Sequence, residues 1–307
     1  MKYSKLIVIH ALWAILCASG VWGATAELSV ASLNPILTDL ARQIGGERIT
    51  VIELMRADEN PHAYTPTPRQ LQAAQQAQLI LASGKGLESY LQDIRDNLSA
   101  GQRLLDVGAT IPSLIAEHSD CGHDHHHHNA VDPHWWHSIK NIKRAMRIIA
   151  TALAELAPQN SEYFNTRRSE YNRTLDQLER WARKELAQIP RSERVLTTAH
   201  NSFGYFCRDF GFETAPILGL SSETTPEPRQ ITEVVKTVKL KNIKAVFPEK
   251  NVNPKTVETI ARETGIRLGG YLLAGSPEKE HPTYEAMFRH NVSTIAKALA
   301  PMETHAH

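Results

Sequence analysis

Short apolar runs alternate with amphipathic stretches in two separate blocks of this chain, and a long helical segment divides them. This pattern leaves few folds open. Strand–helix alternation packs as parallel sheets covered by helices, and the dividing segment has to bridge them. In the first block, 28–33, 49–55 and 79–82 are expected as strands. A helix opens at Asn34-Pro35, an N-cap followed by a first-turn proline, and stops at Gly45-Gly46. Thr67-Pro68 opens another, and 87–98 a third. Residues 138–189 are helical in pattern with a break at Pro158, so one helix over 161–187 should run about 40 Å at 1.5 Å per residue. The second block is expected to place strands at 195–198, 215–218, 245–247 and 268–273, with helices at 203–210, 228–240, 254–264 and 284–299. The expected fold class is therefore α/β: two lobes with parallel, helix-covered sheets joined by one long α-helix, and a ligand site in the cleft between them.

The N-terminus bounds the compartment. Lys2 and Lys5 precede an apolar run over 6–16, and Ala24-Thr25-Ala26 supplies a small-x-small cleavage signal. A cleaved signal peptide over 1–26 is expected, and with it a soluble, periplasmic chain. The bulky Leu16 directly before Cys17 argues against a lipid anchor. Cys121 and Cys207 remain after cleavage. They could pair with each other, but Cys207 falls in an apolar pattern with Phe203, Phe206 and Phe210, so burial as a small hydrophobe is the expected state. The formal net charge of +1 comes with no basic stripe, which excludes nucleic acid as a partner. No glycine-rich nucleotide-binding pattern occurs. The expected organisation is the signal peptide, an N-terminal lobe over 27–136 containing a histidine-rich loop at 116–130, a helical linker over 137–190, and a C-terminal lobe over 191–307.

Residues 121–128 read Cys-Gly-His-Asp-His-His-His-His, with His118 upstream and His134 and His137 downstream. Clustered imidazoles offer nitrogen donors suited to zinc, copper or nickel. A purification tag sits at a terminus, whereas this run is internal and interrupted. Cys121, His123, His125, His126, His127 and His128 are candidate accessory ligands. Four adjacent rings cannot easily converge on one ion, so such a run suits weak, fast capture that fades as pH falls through about 6.5. Three other histidines stand at the edges of expected elements: His62 in Asn60-Pro-His-Ala-Tyr-Thr-Pro, His134 in Asp132-Pro-His-Trp-Trp and His200 in Ala199-His-Asn-Ser-Phe. His200 follows a strand at its carboxyl end, where α/β sheets bind ligands. Proline restricts the backbone just ahead of His62 and of His134. These three are the expected metal ligands.

Those three segments resemble the family-9 solute-binding proteins, the metal-binding subunits of bacterial ABC importers, and within them the zinc-binding, ZnuA-like branch (cluster A-I). Ser222-Glu-Thr-Thr-Pro-Glu-Pro, Phe247-Pro-Glu-Lys-Asn and the stretch 284–291 also fit, so the resemblance covers nearly the whole mature chain. It implies two lobes bridged by a long rigid helix, metal held in the cleft by His62, His134 and His200, and Zn2+ as cargo. It implies partnership with a membrane permease and its cytoplasmic ATPase. The chain itself is expected to act as a monomer. The resemblance also implies that a histidine-rich loop at this place marks the zinc branch rather than the manganese branch.

One feature departs from the family pattern. A carboxylate ligand commonly comes from the loop after the strand at 268–273, and here that loop is Leu273-Ala274-Gly275-Ser276-Pro277. Some zinc-binding relatives instead carry a Glu directly before the first histidine, where this chain has Pro61. Zinc favours four ligands, so water, Glu280, His281 or a histidine of the loop remains open as the fourth. Glu249 and Glu223 could hold ligand rings from behind or be ordinary surface or cap residues. Trp135 and Trp136 are expected to pack beneath the site. His305 and His307 are tail residues that could join the loop. The leading function is zinc capture and delivery, without enzymatic activity. A manganese-binding subunit and a zinc-dependent hydrolase are the alternatives, the second because three histidines plus water is also a catalytic arrangement.

Overall fold

A computed structural model describes residues 28–57, 59–115, 130–219, 228–250 and 252–301. The expected leader, the histidine run with Cys121, Glu223 and the tail histidines lie outside the described residues. Two four-stranded sheets, each wholly parallel, form the two lobes. The first is built from β1 (Leu28–Ser32), β2 (Ile49–Glu53), β3 (Leu79–Ala82) and β4 (Arg103–Asp106) in the order β2-β1-β3-β4. The second is built from β5 (Val195–Thr198), β6 (Glu213–Thr214), β7 (Ala245–Phe247) and β8 (Arg267–Leu268) in the order β6-β5-β7-β8. Both lobes thus repeat one topology without a legible sequence repeat. In each, the winding direction reverses beside the first strand, between β1 and β3 and between β5 and β7. Such switch points open a crevice at the carboxyl ends of the strands.

Helices cover the sheets. α1 (Pro35–Gly45) starts where the Asn34 side chain accepts the Ile36 N–H at 2.8 Å. α2 (Pro68–Ala74) opens with a capping box between Thr67 and Gln70. α3 (Leu91–Asp96) is shorter than expected from the sequence. Residues 87–90 are instead held in a turn, because the buried Glu88 carboxylate accepts the N–H groups of Ser83 (2.7 Å) and Gly84 (2.9 Å). β4 has a weak sequence signal, since only Leu104 and Leu105 separate Arg103 from Asp106.

The bridging segment consists of α4 (Ile139–Leu156) and α5 (Ser161–Leu186), broken at Pro158 as expected. α5 buries Phe164, Tyr171, Leu175, Leu178, Ala182 and Leu186, one stripe at helical spacing. That stripe packs on α1 of the first lobe and on α9 (Tyr284–Leu299) of the second. One core cluster therefore runs through both lobes, from Val30 and Ile36 through Trp135 and Ile142 to Phe206 and Phe288. A further tie crosses directly: the buried Asp39 of α1 accepts the Tyr284 N–H at 2.7 Å. Among the described residues no helix is long and apolar enough to cross a membrane.

The remaining helices of the second lobe are α6 (Gly204–Phe210), α7 (Pro228–Leu240) and α8 (Lys255–Thr264). Cys207 is buried in α6 and its thiol is pushed up by that burial. The strand expected at 215–218 is displaced to Glu213–Thr214. Ala215 and Ile217 still donate to Leu196 and Thr198 of β5, so the backbone pairing runs on past the strand, and Pro216 falls at a position whose N–H would face outward from this sheet edge. The strand expected at 268–273 is cut to two residues. Gly269 crosses so close to the Phe247 ring that an added Cβ would lie 2.5 Å from it, and pairing resumes only where Leu272 meets Glu249.

Candidate metal centre

His62, His134 and His200 converge in the cleft, with ligand-capable atoms all within 4.8 Å of one another. They form the one such group of His, Cys, Asp or Glu among the described residues. His62 comes from the loop between β2 and α2, where Asn60 accepts its backbone N–H at 3.0 Å. His134 precedes the short turn Trp135–His137 that leads into α4. His200 lies two residues past β5, at the switch point of the second sheet. The first lobe, the turn that leads into the bridge and the second lobe therefore each contribute one ring.

Nε2 of His134 lies 2.9 Å from Nε2 of His62 and 3.3 Å from Nε2 of His200. Three nitrogens around a tetrahedral zinc at 2.0–2.1 Å stand about 3.3 Å apart, so this spacing is close to a ligand set. The faces behind the rings are carboxylates. Asp132 Oδ1 accepts the His134 backbone N–H and lies 2.8 Å from its Nδ1. Glu249, two residues past β7, accepts the His200 backbone N–H at 2.9 Å and brings Oε2 to 2.6 Å from His200 Nδ1. The second approach is poorly aligned for a hydrogen bond, which leaves Nδ1 without a directed partner.

The tautomer of His134 follows. With a proton held on His134 Nδ1 by Asp132, the Nε2 of His134 presents its lone pair to the cleft. His62 and His134 are also kept neutral, the state that binds metal. Burial, with His134 and His200 nearby, lowers His62 to about 3. Burial and the neighbouring His200 hold His134 well below its ordinary value. Burial pushes Asp132 up to about 7, against the pull of the His134 N–H.

The supports beneath the site are aromatic. Trp135 and Trp136 are fully buried. Trp135 Nε1 donates to Ser83 O at 2.9 Å, which ties His134 to the end of β3. Trp136 lies edge-on to the His134 ring and donates to Ala274 O at 2.8 Å. His137 donates to the same carbonyl at 2.9 Å and stacks on Phe203. Burial lowers His137 to about 3, and its place is structural.

The candidate fourth donors separate clearly. Glu249 sits behind His200. Glu280 is exposed, and His281 stacks on His290 with ring centroids 4.3 Å apart. Neither reaches the three histidines, because the loop turns back on itself through paired Glu278–His281 backbone hydrogen bonds. The accessory run at Cys121 and His123–His128 lies outside the described residues. Asp132 is a functional residue that sequence reasoning passed over. Its signal was present in Asp132-Pro133-His134, since an Asp two residues ahead can meet both the N–H and the ring of a histidine. Glu59, Lys250 and Glu278 also line the cleft without having been singled out.

Two parallel-sheet lobes with histidines converging between them define the class of metal-binding solute-binding proteins of ABC transporters. The chain belongs to the family described as "Zinc-uptake complex component A periplasmic", whose model matches residues 30–298. Among its relatives are the manganese-binding lipoprotein MntA of Bacillus subtilis, 33% identical over 90% of this chain and 91% of that protein. Another is the zinc-binding protein TroA of Treponema pallidum, 28% identical over 86% of each chain. The solved structure of TroA superposes with a TM-score of 0.81 at 26% identity, covering 89% of this chain and 99% of that one. A metal ion is thus the cargo of this protein.

Proposed function

We propose that this protein captures Zn2+ outside the cytoplasm and delivers it to an ABC permease for zinc import. His62, His134 and His200 are the ligands in this reading, and the leader at 1–26 directs the chain to the periplasm. The observation that carries the reading is the set of three Nε2 atoms turned to one point, two of them oriented by carboxylates behind their rings. Such carboxylate–histidine pairs fix the tautomer and raise the basicity of a ligand.

The donor set favours zinc over manganese. Three histidine nitrogens suit zinc, whereas manganese prefers a shell dominated by oxygen. The family description supports the same metal. Manganese is the second reading, because the relative at 33% identity is named for that metal. Overall likeness reports the fold, while the chosen ion follows the donors. A hydrolytic role would use the same three rings, but Asp132 and Glu249 are already engaged in holding them.

Dialysis of the metal-free protein against equal concentrations of Zn2+ and Mn2+, followed by metal analysis, tests this. One zinc per chain is expected. Preferential retention of manganese would replace zinc with the second reading.

A further inference from the structure

The two positions at which related chains place a fourth donor, Pro61 and Gly275 here, are packed against each other. An added Cβ on Gly275 would lie 3.0 Å from Pro61 Cδ, so any side chain there would press on the proline ring. Pro61 in turn fills the slot before His62. Two carboxylates nevertheless line the cleft beside the three histidines: Glu59 and Glu278. Glu59 is turned to its own loop, where Oε2 accepts the Arg56 N–H at 2.6 Å.

Glu278 is held differently. Oε2 lies 3.2 Å from Lys250 Nζ, and Oε1 accepts the Tyr271 hydroxyl at 3.0 Å. The Lys250 ammonium also stands 4.8 Å over the Tyr271 ring. The Glu278 side chain is 9% exposed, but that of Lys250 is 45% exposed and lines the same cleft. An ion pair with one partner in solvent is weak and easily exchanged. A divalent cation between the three imidazoles would repel that ammonium and attract that carboxylate at once. The small side chains of Ala274, Gly275 and Ser276 form the cleft wall on this side.

We propose that Glu278 is an exchangeable oxygen ligand: Lys250 and Tyr271 hold it while the cleft is empty, and it moves to the cation beside His62, His134 and His200 once metal arrives. This rests on the reading of those three histidines as the nitrogen ligands. The charge of the loaded centre falls by one, and Lys250 is released toward solvent. Lys250 then works as a competitor of the metal for a single carboxylate, so the two residues should affect affinity in opposite directions.

The test is competition titration of Zn2+ against a chromophoric chelator with the full mature chain, with folding checked by thermal melts. Glu278→Gln should weaken zinc binding at least fivefold. Lys250→Met should tighten it at least twofold, and the double variant should follow Glu278→Gln. Glu280→Gln, on the exposed part of the same loop, controls for the loss of a charge and should match wild type. Glu278→Gln within fivefold of wild type overturns the proposal, as does Lys250→Met that binds no tighter than wild type. His134→Ala in the same titration separates the two readings. If it loses tight binding while Glu278→Gln does not, the three-histidine site stands and the exchange falls; if it binds like wild type, both fall.

Discussion

Asp132 holds His134 twice with one oxygen: Oδ1 accepts the backbone N–H and lies against ring Nδ1, each at 2.8 Å. The rotation of the ring and the place of its proton are set by a residue two positions earlier, so Nε2 is committed to the cleft before any ion arrives. Asp132→Ala should weaken zinc binding about 10–100-fold, the usual cost of removing such a partner. Asp132→Asn keeps an acceptor oxygen and should lose less. Chelator competition on the two variants measures the difference, and equal losses would show that the charge rather than the bond matters.

Gly204 makes room for that aspartate. A Cβ at 204 would lie 2.8 Å from Asp132 Oδ2 and equally close to Leu114 Cδ2. Gly204→Ala should therefore shift Asp132 and weaken zinc binding in the same direction as Asp132→Ala, though no functional side chain is removed. Unchanged affinity in this variant would mean that the segment carrying Asp132 yields freely.

The low proton affinity of His62 and His134 sets the pH dependence of the metal-free chain. His62 is lowered to about 3 in the folded chain, against about 6.5 for an ordinary imidazole. The folded chain thus refuses protons that the unfolded chain accepts, and metal-free stability should fall as pH drops from about 6.5 toward 3. In the cleft His62 and His134 have no proton to shed near neutrality, so their own protonation should not oppose zinc binding between pH 7.5 and about 5. Urea melts and chelator titrations across that range check both halves.

Trp136 tests the support beneath the site. Its Nε1 donates to Ala274 O at 2.8 Å from a fully buried ring. Trp136→Phe leaves that carbonyl with one donor, His137, and the lost hydrogen bond should cost roughly 0.5–1.5 kcal/mol of unfolding free energy. Urea denaturation reads the loss, and one zinc per chain should still bind.

The histidine run is testable without any account of its shape. Removing residues 118–128 should leave one tight zinc per molecule by calorimetry, with weaker binding lost. Loss of the tight site with the run would make the run the principal site.

The sequence disclosed both sheets and the bridge because parallel strands buried on two faces read as apolar runs, and α5 repeats its apolar stripe for more than six turns. It also marked His62, His134 and His200, each beside a proline or a strand end. β4 was illegible because an edge strand needs few apolar residues. The early end of β8 was hidden because it depends on Gly269 passing over Phe247, a contact between distant segments. Glu280 and His281 were plausible donors by proximity in sequence, yet the Glu278–His281 backbone pairing turns them away. The role of Glu249 depends on β5 and β7 being neighbours, which strand order alone decides.

The most direct test is a zinc-loaded crystal with anomalous scattering measured on both sides of the zinc edge. The account predicts one strong peak 2.0–2.1 Å from Nε2 of His62, His134 and His200 together. A principal peak elsewhere, or one of those three rings lying outside bonding distance, would contradict it.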